Sequence, residues 1–158
     1  MPLLARAMFG LLDWAARKGL AESSSPQARS AEAGRKARRT GVRGETYAYW
    51  YLRRNGYVMI ARNFMHRGIK GEIDLVGYDG ATLAFVEVKT RTSPRDEFGP
   101  PESAVTREKQ RKLSRMAQQF VREYRAGSAP YRFDILAIEA PPGRRPVVRL
   151  HKGAFAAQ

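Results

Sequence analysis

Apolar positions along this chain follow two rhythms, the three-to-four spacing of a helix and the every-second spacing of a strand. From Gly44 to Asn55, Ala48, Tyr51 and Leu52 hold helical spacing, and Gly56 stands where a C-terminal cap belongs. Tyr57 to Phe64 is rich in strand formers. Ile73–Val76 and Leu83–Val88 predict two further strands around Asp79-Gly80, a hairpin signal. Thr106 opens a long helix with an apolar stripe of Leu113, Met116, Ala117, Phe120, Val121 and Tyr124, ended by Gly127. Phe133–Ile138 and Val147–Leu150 supply two last strands around Pro141-Pro142-Gly143. Helices set between groups of strands predict an α/β domain with a mixed sheet.

The first forty residues read differently. Leu4, Met8, Leu11, Leu12 and Ala15 recur at helical spacing, with Arg6, Asp13, Arg17 and Lys18 elsewhere around the turn. Residues 3–18 are open to two readings, a helix lying in a membrane interface or a helical extension that is loosely ordered or packs on a partner. We prefer the second. Arg6 and Asp13 break the apolar run, no basic head precedes it as in a signal peptide, and no stretch approaches the roughly 20 apolar residues of a membrane span. From Ala21 to Thr40 the run Arg35-Lys36-Ala37-Arg38-Arg39 has no apolar periodicity, which reads as a flexible basic linker. The expected division is an extension over residues 1–40 and an α/β domain over 41–158.

Composition narrows the chemistry. The 158 residues carry 29 Lys and Arg against 15 Asp and Glu, a net charge of +14. Residues 1–44 account for +6 and residues 45–158 for +8, so the folded part is basic in its own right. Such an excess favours a polyanionic partner. There is no cysteine, which excludes disulfide scaffolds, cysteine nucleophiles, thiolate zinc sites and iron–sulfur clusters. His66 and His151 are too few for a three-histidine zinc site. A hard cation held by carboxylates remains.

Val86-Glu87-Val88-Lys89 places a carboxylate and an ammonium in a strand that otherwise reads as buried, and Asp74 does the same in its neighbour. Burying either charge without a partner costs several kcal/mol. With the hairpin centred on Asp79-Gly80, Asp74 faces Phe85 and Glu72 faces Glu87. Side-chain alternation then puts Glu72, Asp74, Glu87 and Lys89 on one face. Asp74 and Glu87 become diagonal neighbours, roughly 7–8 Å apart at the backbone and able to converge on one ion. Oxygen ligands point to Mg²⁺ or Mn²⁺, and a lysine beside them suits phosphodiester hydrolysis. Glu-x-Lys alone is a common tripeptide and on its own reads better as a surface ion pair on an edge strand.

Gly71-Glu-Ile-Asp-Leu75, followed by Phe85-Val-Glu-Val-Lys89, resembles the core of the PD-(D/E)xK nuclease superfamily. More closely, the chain resembles the YraN-like family of bacterial proteins, which is similar to archaeal Holliday-junction resolvases. The resemblance is carried by Gly44-Glu45, Tyr51-Leu52, Gly56-Tyr57, Arg62-Asn63, both strand motifs with Arg91, Phe98-Gly99, Lys109-Gln110 and Arg132-Phe-Asp134. It spans about Gly41 to Glu139. It implies a restriction-endonuclease-like core, a mixed central sheet flanked by helices. It also implies Asp74 and Glu87 as metal ligands with the Val88 carbonyl, Lys89 as catalytic lysine, and Glu45 as an outer carboxylate acting through water. Ile73 stands where the superfamily's name has proline.

The expected function is metal-dependent DNA endonuclease action, with Mg²⁺ or Mn²⁺, on branched or otherwise structured DNA. The alternative is a nucleic-acid-binding protein of the same fold without turnover. Arg91, Arg107, Arg111, Lys112 and Arg115 are expected to meet nucleic acid, and Arg95 with the loop to Pro101 to track a phosphate backbone. A resolvase-like role calls for a homodimer, and the expected location is the cytoplasm. Asp134 reads as paired with Arg132 or Arg91 rather than catalytic, Gln110 as exposed or touching substrate, and His66 as solvated. Tyr47, Tyr49 and Trp50 either pack or stack on bases.

Overall fold

The computed structural model describes residues 26–92 and 105–158, with side chains from residue 30 onward. Residues 3–18, Arg95 and the stretch to Pro101 lie outside the described residues. The chain divides into two units at Arg43/Gly44. Helix α1 runs from Pro26 to Arg54. It continues through the segment expected to be a linker, because Pro26 suits a first helical turn and Ala, Arg, Lys, Glu and Gln are strong helix formers. Residues 30–39 are all exposed, so this part of α1 buries no stripe that periodicity could detect.

In the second unit, Ala48 and Leu52 of α1 are fully buried. The chain then forms β1 (Val58–His66), β2 (Ile69–Asp79), β3 (Thr82–Arg91), α2 (Arg107–Glu123), β4 (Tyr131–Glu139) and β5 (Val147–Phe155). The five strands form one sheet in sequence order. β3 and β4 pair in parallel and the other neighbours antiparallel, so the sheet is mixed. The fold is α/β, consistent with a restriction-endonuclease-like core.

Each face of the sheet has its own core. Leu113, Met116, Ala117 and Phe120 of α2 pack with Val76, Leu83, Phe85, Phe133 and Ile135. Ala48 and Leu52 pack with Tyr57, Leu75, Ala84, Val86, Leu136 and Ile138 on the other face. β3 and β4, covered on both sides, accordingly carry unbroken apolar runs, Leu83–Val86 and Ile135–Ile138. Thr106 caps α2 by accepting the Lys109 backbone N–H at 3.3 Å. The helix ends at Glu123, before Gly127, with Arg125 taking the left-handed conformation expected of a glycine (φ 51°).

Candidate functional site

The β2–β3 hairpin turns on Gly80-Ala81, with Asp79 paired to Thr82, not on Asp79-Gly80. Gly80 has φ +60°, and a two-residue hairpin loop readily takes a glycine in its first position. The register therefore moves one residue along each strand, and Leu75 pairs with Val86. Continued one step past that pair, the register sets Asp74 opposite Glu87, a direct rather than a diagonal relation. Glu72 does not join them as expected. The β1–β2 register shifts between Phe64 and His66, opposite Gly71 with φ +125°, and Glu72 is exposed.

Pairing of β2 with β3 extends as far as Leu75 and Val86, and beyond it the Val88 N–H donates to Asp74 Oδ2 at 2.7 Å. A strand residue's N–H and C=O face the same side, so the Val88 carbonyl, like its N–H, belongs to the β2 side of β3. Asp74 is 9% exposed. Burial and the Glu87 carboxylate push its pKa up from 3.8 to about 7, against the Val88 hydrogen bond and Lys109, with Glu45 adding to the rise.

Glu87 is 4% exposed, and both of its nearby cations use one oxygen. Lys89 Nζ lies 2.9 Å from Oε1, and Lys109 Nζ holds the same atom. Oε2 is buried without a hydrogen-bond partner. Burial pulls the Lys109 ammonium's pKa down, but the Glu87 charge and hydrogen bond outweigh this and leave it raised. Lys109 is the site residue that composition and strand pattern did not single out. Its signal was positional, three residues after the capping Thr106.

Glu45 comes to this end of the sheet because α1 crosses β3 closely at Gly44. A Cβ there would lie 1.7 Å from Thr90 Oγ1. Glu45 accepts a hydrogen bond from Asn63 Nδ2 at 3.0 Å. Among the described residues, no group of three or more acidic or imidazole side chains is close enough to hold an ion. The available donors are two carboxylates and one backbone carbonyl. An unsatisfied buried carboxylate oxygen beside a second carboxylate fits a hard cation, which keeps water in its remaining positions.

Arg107, Arg111 and Arg115 are exposed and four residues apart along α2, on one open helix face. Lys112 is partly covered and pairs with Glu108 at 2.8 Å. Arg91 is half-buried at the end of β3, where its carbonyl accepts the Ala140 N–H. Asp134 is fully buried and bound to Arg132 Nε at 2.8 Å and to the Gly153 N–H at 2.9 Å. Arg132 also reaches Asp79 at 2.6 Å. Gln110 is buried, not exposed, and donates to the Val105 carbonyl at 3.0 Å. His66 is not simply solvated, since its Nε2 lies 3.3 Å from the Glu123 carboxylate.

Residues 44–138 match the group described as "Uncharacterised protein family UPF0102". A UPF0102 protein of Symbiobacterium thermophilum is 44% identical over 119 residues, covering 75% of this chain and 98% of that protein. One of Geobacter metallireducens is 44% identical over 115 residues, covering 73% and 90%. One of Geobacter sulfurreducens is 47% identical over 98 residues, covering 62% and 73%. The matched span contains Glu45, Asp74, Glu87, Lys89 and Lys109.

Proposed function

The chain belongs to the UPF0102 family, the YraN-like group it resembles, and on that premise we propose that it is a metal-dependent endonuclease hydrolysing phosphodiester bonds in DNA. The observation that carries this reading is the pair of buried carboxylates, Asp74 and Glu87, with Glu87 Oε2 left without a donor. Mg²⁺ or Mn²⁺ held there by Asp74, Glu87 and the Val88 carbonyl would acidify an attacking water and offset charge on phosphorus. Asp74 is kept in place by the Val88 N–H. Lys89, 32% exposed, sits where its ammonium can turn from Glu87 to a phosphate oxygen, and Glu45 would act through water from α1. Arg107, Arg111 and Arg115 would carry the phosphate backbone, with Lys112 and Arg91 beside them. Work on DNA would place the protein in the cytoplasm.

One observation favours a second reading, a nucleic-acid-binding protein without turnover. Two ammonium groups already hold the Glu87 carboxylate, so its charge is countered without any cation. Incubation with linear, nicked, single-stranded and four-way-junction DNA, in Mg²⁺, Mn²⁺ or EDTA, tests the choice. Cleavage that requires the cation and disappears in Asp74→Asn supports the nuclease. Binding without cleavage in every arm supports the second reading. Paired, symmetric incision of a junction would further require two copies of the site.

A further inference from the structure

Residues 46–71 contain no Asp or Glu, yet they hold Arg53, Arg54, Arg62, Arg67 and Lys70 together with six aromatic side chains. Part of this segment forms a groove between the end of α1 and the edge strand β1. It measures about 380 Å³ and is lined by Tyr49, Arg53, Gly56, Tyr57, Val58 and Met59. Trp50 stands beside it, 47% exposed, with its ring edge-on to Tyr49 at 5.3 Å. The Arg53 guanidinium lies 5.4 Å from the Trp50 ring centre, and that of Arg62 lies 5.0 Å from the Tyr49 ring centre.

These groups are joined to Glu45. Arg62 donates to Thr46 Oγ1 at 3.3 Å, and its neighbour Asn63 donates to Glu45. Along α1, Trp50 is only about 8 Å from Glu45.

We infer that the groove between α1 and β1 is a platform for unpaired nucleotides, with bases against Trp50 and Tyr49 and phosphates on Arg53 and Arg62. The inference rests on the proposed function in taking nucleic acid as the partner, and it specifies the class, a strand whose base faces are open. Duplex bases have their faces covered by stacking and cannot use exposed rings in this way, whereas every unpaired base can. A second copy of this chain would bring the same positive charge to the groove, which opposes self-association there.

The chain has two tryptophans, so in a Trp14→Phe protein Trp50 alone reports. Its emission is titrated in EDTA, at fixed salt, with an oligothymidylate and with a blunt duplex of equal length. The expected result is quenching and tighter binding by the single strand. With affinity read instead by the anisotropy of a fluorescein-labelled oligothymidylate or duplex, Trp50→Ala should weaken single-strand binding about 5- to 140-fold, the range for loss of one base–aromatic stack. Trp50→Phe should retain most of the affinity, and duplex binding should change little in either variant. Equal affinity for both nucleic acids, or emission that does not respond, overturns the inference. Emission that changes with protein concentration alone assigns the groove to a second copy and also overturns it. Because no cation is present, these outcomes are independent of cleavage. Asp74→Asn should lose the cation response of the site and keep the single-strand preference.

Discussion

Lys109, in the first turn of α2, lays its ammonium on the Glu87 carboxylate in the middle of β3. Removing that ammonium leaves Glu87 with Lys89 alone. The side chain of Lys109 is 40% exposed, so the loss in Lys109→Met should fall between that of a surface and a buried pair, about 1–3 kcal/mol. Lys109→Arg should recover part of it. Urea denaturation of the two variants beside wild type measures the difference.

Asp74 is held above its ordinary value, so the folded protein binds its proton more tightly than the unfolded chain does. The stability this contributes is full below the unfolded pKa, near 3.8, and is lost as pH rises through about 7. In EDTA, stability should therefore fall across this window, by at most about 1.4 kcal/mol per pH unit from this group. Asp74→Asn keeps an oxygen for the Val88 N–H and should flatten the slope, melting at the same temperature or higher near neutral pH. Excess Mn²⁺ should raise the melting temperature of wild type, increasingly above pH 7, and not that of Asp74→Asn. Thermal melts of both proteins from pH 4.5 to 8 read every one of these outcomes. A large loss in Asp74→Asn with no Mn²⁺ effect on wild type would sink the cation site.

Gly44→Ala sets a methyl group against Thr90, whose Oγ1 and Cβ would lie 1.7 and 2.8 Å away. Overpacking of this kind costs about 1–3 kcal/mol, and here it also pushes Glu45 away from the acidic pair. Adding Thr90→Gly should restore most of the stability. A melting temperature unchanged by Gly44→Ala would show that the crossing is looser than described.

Arg132→Leu strands Asp134, which is fully buried and bound by that guanidinium. The expected loss is about 3–5 kcal/mol, the cost of leaving a buried charge unpaired. It should come without change in the Mn²⁺ response per folded molecule, since Asp134 serves the sheet rather than the acidic pair. Chemical denaturation and a Mn²⁺ titration on the same sample test both halves.

Binding to duplex DNA should weaken with salt, log K falling against log[salt] by about 0.9 for each phosphate neutralised. Arg107, Arg111 and Arg115 share one exposed face, so neutralising all three to glutamine should flatten the slope by up to about 2.7. Removing residues 1–40 should flatten it further without abolishing binding, because the remainder is still basic. Salt titrations by fluorescence anisotropy give the slopes, and an unchanged slope in either variant takes that segment off the nucleic acid.

The elements were legible wherever burial imposed a period. β3 and β4, buried on both faces, and α2, with one apolar stripe, lie within a few residues of where alternation and spacing put them. Residues 30–39 of α1 were hidden for the opposite reason, since they are all exposed and carry no stripe. The hairpin register was underdetermined because both Asp79-Gly80 and Gly80-Ala81 are acceptable two-residue loops. The two candidate turns differ by an even step in pairing, so Asp74 and Glu87 kept their proximity through the error. Glu72 was lost to the shift at Gly71, a local feature that alternation cannot foresee. Lys109 escaped because a polar residue on a helix looks the same whether it meets water or a carboxylate.

The parallel pairing of β3 with β4 also sets an order of events. Asp74 and Glu87 meet through a hairpin with a two-residue loop, whereas Lys109 reaches Glu87 from the connection that must span to β4. Short-range pairing closes before a long connection docks. The carboxylates are therefore juxtaposed with Lys89 alone beside them while Lys109 is still remote, and Lys109 locks a repulsion that folding has already overcome. In kinetic experiments the Lys109 contact should accordingly be absent from the transition state. Lys109→Met should steepen the escape from the native state and leave the rate of reaching it nearly unchanged.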